Sequence, residues 1–190
     1  MESTLIIISV LLILFAILAV YDGFYLHIFK YNLHNHSESK NEHITHTVRA
    51  ILFPAIVYFL FFRQNSTCSF FIGISLVIID SLVLVLDAYV ESDSRKFMGG
   101  LPRWEYVLHL FVNGFHFASI AVFLTMKLQF TDKGISIVQN FYHYQNFSIF
   151  NFVVKNIIPG AVIIGILHLM VSIPKTAIVW NNFRAKISCC

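Results

Sequence analysis

Every residue from Leu5 to Val20 except Ser9 is apolar. A run of that length approaches the roughly 20 residues that carry a helix across a bilayer, and a domain of 190 residues has no interior deep enough to hide several of them. Further runs follow at Ala50 to Phe62, Ser69 to Val90, Tyr106 to Met126 and Ile157 to Trp180. With 57% hydrophobic residues, 12% charged residues and a mean hydropathy of +0.74, the chain reads as an all-α integral membrane protein. The fold expected is a single transmembrane domain over residues 1–190, a bundle of about five spans.

The ends of these runs carry their own signals. Glu2 precedes the first run in place of Lys or Arg, and Tyr21-Asp22-Gly23 follows it in place of a small-x-small cleavage site, so it reads as a retained helix. The second run is short alone, but Ser39 with Glu42 three residues on has the form of a capping box, which starts that helix near Asn41. Gly99-Gly100-Leu101-Pro102 makes the turn between the third and fourth spans. Pro159 and Pro174 interrupt the last. Gly134 to Val154, dense in Asn, Gln, Tyr and Phe, suits an interfacial or re-entrant aromatic segment, with a sixth span as the alternative.

With five spans, Lys30, Lys40, Arg49, Arg95, Lys96, Arg103, Arg184 and Lys186 fall on one side, and Arg63, Lys127, Lys133 and Lys155 on the other. The positive-inside rule then puts the N-terminus outside and the C-terminus in the cytoplasm. Sequons at Asn35, Asn65 and Asn146 fall on both sides and decide nothing. The net charge of +3 has no basic patch behind it that would call for nucleic acid. Cys68, Cys189 and Cys190 show neither zinc spacing nor a disulfide framework. The vicinal pair would suit acyl or prenyl groups, from which a chain already spanning the membrane gains little.

The informative pattern is geometric. At about 100° per residue, Asp80, Asp87 and Glu91 lie within about 40° of one another on the third helix. Glu105, His109 and His116 form the mirror-image stripe on the fourth. In an antiparallel pair Glu91 would lie level with Glu105, Asp87 with His109 and Asp80 with His116. Glu42, His46 and Arg49 share a face of the second helix with His43 one step round, and Asp22 ends the first at the same depth. Each such residue costs roughly 2.5–3.5 kcal/mol near a helix centre, so the set requires a reason.

Facing Glu and His side chains in a helix bundle suit one or two divalent ions, Fe, Mn or Zn. The expected ligands are His46, Asp87, Glu91, Glu105, His109 and His116, then Asp22, His43 and Asp80, with Glu42 as general base and Arg49 beside it in the catalytic set. Glu-x-x-x-His occurs twice, at Glu42/His46 and Glu105/His109, one residue longer than the Glu-x-x-His of di-iron bundles. Haem held by pairs among His46, His109, His116 and His168 would leave the carboxylates unexplained. Structural Asp–His pairs, such as Asp80 with His116, compete with the metal reading. His27, His34 and His36 read as headgroup-level polar residues, His143 belongs to the opposite face, and His168 reads as a hydrogen-bonded core histidine. Arg95 and Arg103 at the cytoplasmic surface would hold a phosphate or carboxylate headgroup.

The function expected is a metal-dependent membrane enzyme, a hydrolase or a di-iron-type oxidase, acting on a lipid or other hydrophobic substrate. A proton or metal transporter would need polar residues reaching both faces, and the stripes fade beyond Asp80 and His116. A structural subunit would need no cluster.

Overall fold

The structure, a computed structural model, describes residues 2–132 and 134–188. Lys133 and the vicinal Cys189 and Cys190 lie outside the described residues. Helix α1 covers Glu2–Ala19 and continues with π-helical winding over Val20–Lys30. Helix α2 covers Lys40–Ile56 and also ends in a π-helical stretch, Val57–Phe62. Helices α3 (Thr67–Ser94), α4 (Arg103–Lys127) and α5 (Phe147–Ser172) follow, then the shorter α6 (Pro174–Ser188). Among the described residues, five helices are long and apolar enough to cross a membrane.

The helices are turned inside out relative to those of a water-soluble protein. On α3, Leu82 and Val85 are 62% and 67% exposed while Asp80 and Asp87 are buried. Such a helix would be unstable in water, where the apolar stripe belongs inside; it suits a hydrocarbon surround that solvates the leucines and leaves the carboxylates to each other.

Helix α1 packs against α4 and α5, and α2 packs against α3 and α5. Consecutive helices α3 and α4 are not a close-packed pair; they meet through side chains. Helices α2 and α5 approach tightly at Gly165, where a Cβ would stand 2.9 Å from the Ala50 carbonyl oxygen. Pro54, four residues on, has no N–H to offer that carbonyl, and the missing side chain of Gly165 lets α5 lie against the freed group. Leu5, Ile8, Leu12, Leu60, Phe61, Phe123 and Phe150 fill the half of the bundle near the α1 N-terminus. The buried acids and histidines occupy the other half.

Three boundaries differ from the sequence reading. Phe147 to Val154 belongs to the fifth span and not to an interfacial segment, because Phe150 and Val154 point into the core. The preceding stretch forms a short antiparallel hairpin of β1 (Leu128–Thr131) and β2 (Gly134–Ile137) at the end of an otherwise helical bundle. The fifth span also ends at Ser172, well before Trp180, since Pro174 starts the separate helix α6. Asn181 of α6 then bonds His34 at 3.2 Å and Asn35 at 3.0 Å, tying this helix to the loop after α1. Burial, with Arg184 nearby, holds the His34 imidazole below its usual range. At the opposite end the buried Lys127 ammonium donates to the carbonyls of Gln64 and Val138 and fastens the hairpin to the α2–α3 loop.

Candidate functional site

Four helices deliver ionisable groups to one end of the bundle. Helix α1 supplies Asp22 and His27 at its C-terminal end, α2 supplies Glu42 and His46 from its first turns, α3 supplies Asp87 and Glu91 near its end, and α4 supplies Glu105 and His109 near its start. The antiparallel path brings these ends together.

Asp22 and His27 meet because of the local winding. At 100° per residue, five residues separate two side chains by about 140°, on different faces. The i→i+5 bonding of a π-helix, as in Tyr31 N–H to Leu26 O, returns residue i+5 nearly above residue i. His27 Nε2 thus lies 3.3 Å from Asp22 Oδ1 and 3.7 Å from Glu105 Oε1. His27, expected from its position after the first span at headgroup level, is fully buried at the middle of the cluster. Its ring centroid is 4.0 Å from that of His46 and 5.7 Å from that of His109.

Arg95 also departs from its expected place. It does not lie at the surface but is fully buried, with Nη2 2.7 Å from Glu42 Oε1, 2.7 Å from Glu105 Oε1 and 3.0 Å from His27 Nε2. Arg103 is exposed, so the two arginines do not form a surface clamp. The expected capping box is likewise redeployed. Ser39 Oγ donates to the Ser94 carbonyl at 2.7 Å, and Glu42 accepts from the Ser94 hydroxyl and from Arg95. The start of α2 therefore grips the end of α3 and leaves its own N–H groups uncapped by these side chains.

Other expected residues divide into three places. His46 Nε2 is 3.2 Å from Asp87 Oδ2, and Asp87 also accepts from Thr45. His109 has carboxylates at both ring nitrogens, Glu91 at 2.5 Å from Nδ1 and Asp22 at 3.0 Å from Nε2. Glu91 therefore pairs with His109 instead of lying level with Glu105, a shift that follows from the looser approach of α3 to α4. Asp80 and His116 do face each other, at 3.2 Å, with Arg49 Nε 3.2 Å from Asp80 and Nη2 2.7 Å from Asn113. This group lies about two turns, roughly 10 Å, farther along the helices from Asp87 and His109. His43 turns away from the cluster. Its Nε2 meets Ser172 Oγ at 3.0 Å, and its ring lies 5.7 Å from those of His34 and His168.

Among the described residues, two sets of ligand atoms have a metal-like arrangement: Asp22, His27, Glu105 and His109, and His27, Glu42 and His46, each with its atoms within 4.8 Å of one another. They share His27. Both Glu105 oxygens and His46 Nε2 are buried without an aligned hydrogen-bond partner, although Arg95 stands close to Glu105. Carboxylate oxygens and imidazole nitrogens gathered in this way are the donor types a divalent cation accepts.

A cavity of about 460 Å³ adjoins the site, with Asp22, His46, Arg49, Asp80, His116 and His168 on its polar wall and α1 and α5 forming much of the rest.

Fold and site together describe a helical bundle of multi-pass membrane type with a buried carboxylate–histidine centre near one end of its spans. No protein-family model, curated protein or solved structure matches the chain.

Proposed function

We propose that this chain is an integral membrane metalloprotein holding one or two divalent ions, Fe, Mn or Zn, and that it is a metal-dependent enzyme acting on a lipid or other hydrophobic substrate near the cytoplasmic face. The observation that carries this reading is a charge imbalance. Among the described residues, the six carboxylates gathered at this end, Asp22, Glu42, Asp80, Asp87, Glu91 and Glu105, have two guanidiniums within ion-pair distance, Arg49 and Arg95. With neutral imidazoles, four negative charges remain, the sum that two divalent cations offset. Leaving them unpaired in a bilayer would cost several kcal/mol each.

In this reading Asp22, His27, Glu105 and His109 hold one ion, and Glu42 and His46, sharing His27 and with Asp87 beside His46, approach a second. His109 would give Nε2 to the ion while Nδ1–H is oriented by Glu91, the carboxylate–histidine relation common behind metal ligands. Glu42 belongs with the ligand atoms and also anchors Arg95; Arg49, committed to Asp80 and Asn113, positions its neighbours. Arg103, exposed at the start of α4, remains for a lipid headgroup. The ion would supply Lewis acidity for hydrolysis or, as an iron pair, redox chemistry with dioxygen.

One observation favours a second reading. His109 lies between two carboxylates and His116 faces Asp80, as protonated imidazoles in a structural ion-pair network would. Four imidazolium charges would offset the same imbalance. Conduction is less favoured, because the far half of the bundle is filled with apolar side chains.

Elemental analysis of the purified protein separates the two. The expected result is one to two equivalents of Fe, Mn or Zn per chain, falling below a tenth of that in His27→Ala, since His27 belongs to both ligand sets. A metal-free parent protein, isolated without chelators and still metal-free after incubation with each ion, would establish the ion-pair network instead.

A further inference from the structure

The cavity beside the centre has a shape and chemistry of its own. Ala16, Ala19 and Gly23 on α1 and Gly160 and Ala161 on α5 leave the space open. Val20 and Ile163 also line it and are 45% and 58% exposed, so the space reaches the outer face of the bundle between α1 and α5, where hydrocarbon would surround the protein. On the scale at which a 150 Å³ cavity takes benzene, about 460 Å³ takes roughly 18 carbon atoms, enough for one chain and not two.

Its polar wall selects the other end of such a molecule. His116 and His168 are buried there with Nδ1 unpartnered, and Asp80 turns Oδ2 toward His116 Nε2 at 3.2 Å without an aligned hydrogen bond. Two carboxylates, Asp22 and Asp80, line the space. Among the described residues on the wall, the one guanidinium, Arg49, is already committed to Asp80 and Asn113. An anionic head would meet carboxylates with no further guanidinium or ammonium among those residues to offset them. A hydroxyl or amide can donate to a carboxylate and pair with an imidazole at the same time.

We infer that the cavity binds a single-chain amphiphile with an uncharged hydroxyl or amide head, entering from the membrane between α1 and α5. That the bound molecule is the substrate rests on the metal-centre reading above; the binding site itself does not.

The test uses the full chain in lipid nanodiscs with hexadecanol bearing a mid-chain diazirine. Irradiation is expected to label residues 13–23 and 156–168, and excess hexadecanol or hexadecanamide to suppress it at least tenfold more effectively than hexadecanoate or hexadecyl phosphate. Ala16→Phe and Ala161→Phe, on opposite walls, should each reduce labelling at least tenfold while metal content and elution volume stay unchanged. If one variant fails to fold, the other carries the test. Labelling that survives filling of the cavity, or that hexadecanoate displaces as well as hexadecanol does, overturns the proposal. Labelling as expected in a protein without metal would sink the enzyme reading and keep the site; metal without labelling would do the reverse.

Discussion

Arg95 illustrates how one residue can hold a buried acidic site together. It is fully buried, its fork reaches Glu42 on α2 and Glu105 on α4, and its Cζ lies 5.3 Å from the Tyr31 ring centroid. Removing one partner of a buried ion pair leaves the other charge uncompensated, typically at about 3–5 kcal/mol. Arg95→Met is therefore expected to lower the thermal midpoint of the detergent-solubilised protein sharply. Arg95→Lys should recover only part of the loss, since an ammonium in place of Nη2 can meet both carboxylates but loses the Nε–H bond to Glu42 and the planar fork. Equal stability of Arg95→Lys and the parent would show that charge alone suffices. His27 makes the complementary point: its neighbours are all reached through tertiary structure or non-α winding, so no helical stripe could contain it.

At the scale of elements, π-helical winding and one glycine contact govern the approach of the helices. The π-helical end of α1 turns Asp22 and His27 to a common side. Gly165 allows α5 to lie against the Ala50 carbonyl that Pro54 cannot bond. Gly165→Val is expected to cost about 1–3 kcal/mol by forcing α5 away from α2. Gly114→Ala on α4, where an added Cβ meets nothing within 4 Å, should be neutral or slightly stabilising. Thermal unfolding of the two variants side by side checks this, and equal midpoints would mean that the α2–α5 contact is not tight. The same contact adjoins the cavity, lined by Ala50 on α2 and by Ile164 and His168 on α5.

On the scale of the whole molecule, the bundle divides into an apolar half and a polar half, and the polar half carries the loops of residues 31–39 and 95–102. The positive-inside rule, applied to the arginine and lysine distribution, predicts that this half faces the cytoplasm. In intact cells carrying a cysteine-free version, a cysteine at Gln139 should react with a membrane-impermeant maleimide, whereas one at Ser37 should react only after lysis; the opposite pattern would invert the topology. Much of this was legible in the sequence: span-length apolar runs and the mirrored stripes of α3 and α4 follow from helical period and the cost of charge in hydrocarbon, which are local quantities. That is why the acids and histidines of α2, α3 and α4 could be assigned to inward faces before any fold was known. Their partners could not be assigned. Glu91 meeting His109, Arg95 drawn inside between Glu42 and Glu105, and His27 joined to Asp22 depend on how closely helices approach and how one of them is wound. The sequence by itself determined which side chains must avoid lipid, because that penalty belongs to each residue; only the tertiary structure decided which of them meet, because a pairing energy depends on the distance between two helices.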